Sequence, residues 1–137
     1  MAFYEGCKIE KDNLFLAFIV FPLIFNEKWI AQNPRIIATS KLASWKEDKK
    51  LYLQGLPGRV EYFRDITIKC IQYGLDKNWI ILEGNTITIN KDNSKNWKAS
   101  QFYSNQQKSA KAINNLFNGL SVVDIYATLD IKEAWKL

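Results

Sequence analysis

Glu61 and Asp65 are the one tidy pair of carboxylates spaced four residues apart, the spacing that sets two acids on one helix face for proton transfer or magnesium binding. They stand among Arg59, Arg64 and Lys69, so salt bridging along a solvated helix accounts for them better than catalysis. Little else of the catalytic vocabulary is present. The chain has no histidine, which removes the commonest base near neutral pH, the Ser/His and Cys/His nucleophile pairs and His-based zinc sites. Cys7 and Cys70 are the only cysteines, too few for a four-ligand zinc site and no disulfide framework. There is no Gly-rich phosphate loop of the GxxxxGK[ST] or GxGxxG kind. These residues imply a protein that is not an enzyme and holds no cofactor and no metal.

The remaining chemistry is that of binding. Nineteen Lys and Arg against fourteen Asp and Glu give a formal charge of +5, enough to allow contact with nucleic acid or an acidic partner and too little to require it. At about 100° per residue Arg59, Arg64 and Lys69 point in three directions, so they make no recognition stripe. Lys91, Lys95 and Lys98, with Lys108 and Lys111 at i, i+3 on a later helix, form a candidate phosphate-binding rim, against the alternative of ordinary solvated lysines. Aromatic residues make up 14% of the chain and include five Trp. Trp29, Trp45, Trp97 and Trp135 are the candidate partner-binding anchors, since Trp joins a large apolar area to a polar handle.

The elements that would carry these groups can be read from periodicity and breakers. The length of 137 residues fits one domain, 1–137. The most apolar run, Leu14 to Phe25, is too short for a bilayer span, which takes roughly twenty residues. It reads as a buried helix over 13–25, capped by Asp12 or Asn13, kinked or ended by Pro22, and surrounded either by its own domain or by a partner. Helices are expected over 27–33 and 35–47, the second opened by Pro34. Another is expected over 58–74, where Val60, Phe63, Ile66, Cys70 and Tyr73 recur at helical spacing with Cys70 buried and Gly74 as the stop. Trp79 to Leu82 and Thr86 to Ile89 read as a β-hairpin over 79–90. Helices over 100–118, ended by Gly119, and 121–129, capped by Ser121, complete the chain. The fold class is α+β, mostly α-helical, a winged-helix-like domain with one β-hairpin. No secretory leader is recognisable, and a cytoplasmic location fits the two isolated cysteines.

The run Phe15 to Phe25 with Phe21, Pro22 and Leu23, followed by Arg35, Ser40 and Trp45, resembles the "fLvLPlvLh…R…s…W" signature of the middle-component proteins of three-component ABC systems. Arg59 with Phe63, Arg64 and Asp65 is similar to that family's "R…ytREAL" helix. Asn115, Leu116 and Phe117, then Asp124, Ile125, Tyr126, Ala127, Thr128 and Leu129, are similar to its "lg.wf…IyatLGi" ending. The resemblance spans Leu14 to Ile131. The chain departs from the pattern in a short N-terminal segment, in Ile68 where small residues are usual, and in Asp130 in place of a common Gly.

The resemblance implies a non-catalytic adaptor subunit. Its partners would be an SMC-like or Rad50-like ABC ATPase and an effector, often a nuclease, in prokaryotic systems of the Lamassu-like kind directed against phages or plasmids. DNA contact would be made through the complex, and no membrane is involved. The alternative is a winged-helix DNA-binding regulator, which the charge and the hairpin after a helix favour and the scattered basic residues weaken.

Overall fold

The computed structural model describes residues 1–26, 36, 39–93 and 104–131. The apolar run Leu14 to Phe25 begins as a 3₁₀ turn, Asn13–Leu16, and continues as helix α2, Ala17–Ile24, preceded by a short α1, Ala2–Gly6. Nearly every side chain of α2 is buried within the chain's own core, which is why the helix tolerates apolar residues all round. The expected cap is not made. Asp12 sits at φ 60° with no side-chain bond to the helix start, and the Asn13 side chain is used across the fold instead.

Helix α3 is Leu42–Asp48, followed by a single turn α4, Lys50–Leu53. Of the helix expected over 35–47, residues 42–47 are helical within α3, but the described residues 39–41 before them are not. Thr39 lies in a turn, Ser40 is irregular, and Lys41 is extended at φ −116°, ψ 140°. The expected helix over 27–33 lies outside the described residues.

Gly55 at φ 78° precedes the longest element, α5, Leu56–Asp76, and Pro57 occupies its first turn, where a missing N–H costs nothing. Its buried face differs from the one expected. Leu56, Val60, Thr67 and Gly74 are buried and Phe63 and Ile71 partly so, whereas Ile66, Cys70 and Tyr73 are exposed. Two small residues decide this. The Thr67 hydroxyl donates to the Phe63 carbonyl at 2.8 Å, so a polar side chain is satisfied within an apolar face. Gly74 does not stop the helix: it admits the Ile80 side chain, whose Cδ1 lies 3.1 Å from where a Cβ would stand.

The hairpin pairs β1, Ile80–Glu83, with β2, Thr86–Ile89, antiparallel, in the register Ile80 to Ile89 and Leu82 to Ile87. Gly84 takes φ 59° in the two-residue turn, the left-handed value that tight hairpin turns require. Helix α6, Ser104–Phe117, lies against α1, where Asn114 Nδ2 donates to the Phe3 carbonyl at 2.9 Å. Gly119 at φ 77° ends that stretch. Helix α7, Val122–Thr128, starts with Ser121 and Asp124 in a reciprocal capping box, as the sequence suggests. Leu16, Ile19, Leu23, Val60, Ile113, Phe117, Ile125 and Tyr126 draw these helices into one buried cluster. The architecture is thus mostly helical with a two-stranded antiparallel hairpin, an α+β arrangement.

Candidate functional site

The signature residues of the first and longest helices meet directly. At the end of α2 the Asn26 amide turns to the Leu23 carbonyl, so the Pro22 carbonyl has no partner within the helix. Arg59, in the first turn of α5, donates to that oxygen at 2.6 Å. A cation at a helix C-terminus also meets the negative end of its dipole. Partial burial lowers the guanidinium's pKa from its ordinary value. This bond ties α2 to α5, whose packing places the helix's outer face.

A second junction fixes the hairpin. Asn13 is 3% exposed, and its side-chain amide pairs with the backbone of Ile87 as a strand would: Ile87 N–H donates to Oδ1 at 2.6 Å and Nδ2 donates to the Ile87 carbonyl at 2.9 Å. Nδ2 also reaches the Ile9 carbonyl at 3.0 Å. Leu14 N–H donates to the Asn85 carbonyl, and the Thr86 hydroxyl to the Glu10 carbonyl. The outer edge of β2 is thereby covered by the segment before α2.

Tyr4 donates to the Asn13 carbonyl at 2.9 Å and Tyr126 to the Phe15 carbonyl, and burial raises both phenol pKa values. These groups hold the 3₁₀ turn. Burial likewise raises the Cys7 thiol. Helices α1, α2 and α6 enclose an apolar cleft of about 260 Å³ lined by residues such as Tyr4, Phe21, Phe25, Gln106 and Ala110, with no carboxylate, lysine or thiol among the described residues of its lining. Among the described residues no group of three or more His, Cys, Asp or Glu could hold a metal ion. No helix among them is long and apolar enough to cross a membrane.

Of the candidate anchors, Trp45 is 5% exposed within the core cluster, so as placed it fixes α3 rather than offering a contact surface. Trp29, Trp97 and Trp135 lie outside the described residues, as do Lys95 and Lys98. Lys91 is exposed just beyond β2, and Lys108 and Lys111 are exposed on α6. The hairpin packs on α1, the 3₁₀ turn and α5, while α6 packs on α1, α2 and α3, so the two groups of lysines sit on elements with largely different neighbours. Glu61 and Asp65 are both exposed on α5.

The surface that sequence reasoning missed is on the same helix. Tyr62, Ile66 and Tyr73 are 76%, 47% and 54% exposed. The signal for it was the small pair Thr67 and Gly74, which, seven residues apart, mark the inward face and leave Ile66 and Tyr73 outside.

No curated protein and no solved structure matches the chain. The family model of the ABC-three component (ABC-3C) system Middle Component 3 matches residues 1–133, and the chain belongs to that family.

Proposed function

We propose that this middle component is a non-catalytic adaptor that bridges an SMC-like or Rad50-like ABC ATPase and a nuclease effector in a prokaryotic anti-phage or anti-plasmid complex of the Lamassu-like kind. Membership in the family over residues 1–133 carries the reading, because a middle component of a multi-component ABC system has partner subunits. The adaptor docks on the ATPase and holds the effector inactive until the ATPase engages foreign DNA. Trp29, Trp97 and Trp135 are proposed anchors, with Trp45 acting from beneath through the position of α3. Co-expression of the tagged chain with its flanking genes tests this. An ATPase and an effector should co-elute with it, and effector activity should rise when the chain is left out. A chain that elutes alone contradicts it.

A second reading is favoured by the position of the hairpin directly after the long helix α5. In it the unit is winged-helix-like, the hairpin is the wing, and Lys91, Lys95, Lys98, Lys108 and Lys111 touch phosphates. Salt-sensitive DNA binding by the isolated chain, weakened when Lys91, Lys95 and Lys98 become Ala, would favour it.

A further inference from the structure

The cleft between α1, α2 and α6 contains one polar atom that the fold leaves without a partner. Gln106, in the first turn of α6, lines the cleft, and its Oε1 is buried with no donor in reach among the described residues. Tyr4, whose hydroxyl is the one in the described lining, turns that group to the Asn13 and Leu14 carbonyls instead. A buried amide oxygen left unpaired destabilises a fold, and native proteins hold few of them. Water answers it poorly, because a held water needs several polar partners, and apart from Tyr4, Gln106 and Gln107 the described lining is apolar.

The walls decide what else the occupant must be. The rings of Phe21 and Phe25 stand at an interplanar angle of 10° with centroids 5.8 Å apart, and they give the cleft an aromatic side on which a flat body packs. The volume of about 260 Å³ exceeds the roughly 150 Å³ of an apolar cavity that accepts benzene, so a molecule of one or two fused rings fits. An ion is disfavoured, since no carboxylate or lysine among the described lining residues offsets its desolvation.

We propose that this cleft binds a small, flat, uncharged aromatic molecule that donates one N–H or O–H to Gln106 Oε1. The ring covers the Phe21 and Phe25 side, and its donor makes the bond that Oε1 lacks. A molecule so placed touches three helices, so its binding also stabilises the folded chain. The inference goes beyond the adaptor reading and does not depend on it.

Indole is the probe, and N-methylindole is nearly the same body without the donor. Titrated into the full chain and followed by nuclear magnetic resonance, indole should shift the backbone amides of Phe21, Gln106 and Ala110 and saturate. N-methylindole should bind roughly tenfold or more weakly. Gln106→Met keeps the length of the side chain without its amide oxygen, and it should bring the two probes within roughly threefold of each other. Absence of saturable shifts at those amides, equal affinity of the wild-type chain for both probes, or a preference that survives in folded Gln106→Met overturns the proposal. Calorimetry on the chain purified with its partner subunits separates a free molecule from a partner's side chain of the same chemistry. Indole binding kept in that complex supports the free ligand. Binding lost there but present in the chain alone gives the cleft to a partner's side chain and overturns it.

Discussion

The guanidinium of Arg59 donates to the carbonyl oxygen of Pro22 at 2.6 Å, across thirty-seven positions of sequence, and supplies the bond that α2 leaves unmade at its C-terminal end. Both residues belong to the pattern by which the chain resembles its family, so two letters of a loose signature are here one physical contact. Arg59→Ala should lower stability by about 1–2 kcal/mol, the range of a charge-assisted hydrogen bond discounted for partial exposure. Arg59→Lys should recover part of it. Urea unfolding followed by circular dichroism measures both.

Asn13 acts on β2 as a one-residue strand, and no apolar side chain can take its place. Asn13→Ala leaves the Ile87 N–H and carbonyl without partners in a buried setting, a loss of about 2–4 kcal/mol. Asn13→Asp keeps the acceptor but turns a carboxylate toward the carbonyls of Ile9 and Ile87. Its folded pKa should therefore rise above the unfolded value. The penalty is full above that raised pKa and is relieved as pH falls toward about 4. Unfolding midpoints of this variant should climb between pH 7 and pH 4, and a flat profile would contradict the arrangement.

The phenols of Tyr4 and Tyr126 are buried and bonded to backbone carbonyls, and their pKa values are raised by that burial. The neutral form is thus favoured by folding. Their stabilisation is complete below the ordinary tyrosine value near pH 10 and is lost as pH rises beyond it. Stability should fall steeply above about pH 10, and Tyr4→Phe and Tyr126→Phe should each flatten that fall while costing about 1 kcal/mol at pH 7.

Helices such as α2, α6 and α7, and the hairpin, could be read from the sequence because their signals are local: an apolar run, Gly119, the Ser121 and Asp124 box, and the Gly84 turn. Much of what failed depends on contacts distant in sequence. Asn13 was expected to cap a helix, yet its partner Ile87 lies seventy-four residues away. The α5 face was misread beyond Phe63 because Ile66, Cys70 and Tyr73 were taken as inward, whereas Thr67, Ile71 and Gly74 turn to the core and Gly74 gives room to Ile80. The exposed line of Tyr62, Ile66 and Tyr73 on α5 was hidden by that same error. The start of α3 moved because Ser40 and Lys41 leave the helical region despite favourable neighbours.

Asp130 occupies a left-handed position, φ 57°, which explains why the family pattern carries Gly there. Its carboxylate meets Lys46 Nζ at 2.8 Å, but the carboxylate is mostly exposed and the pair is worth under about 1 kcal/mol. Asp130→Gly relieves the backbone at a similar cost in lost pairing, so it should change stability by less than about 1 kcal/mol. Asp130→Val should lose about 1–2 kcal/mol. Thermal unfolding of the two variants separates backbone strain from the ion pair.

The central claim is that this middle component joins two other subunits and performs no reaction itself. The direct measurement is the mass and composition of the complex purified through the tagged chain after co-expression with its flanking genes. The account predicts an assembly containing a large ABC ATPase and an effector. A monodisperse chain of its own mass, with the flanking products absent, would contradict it.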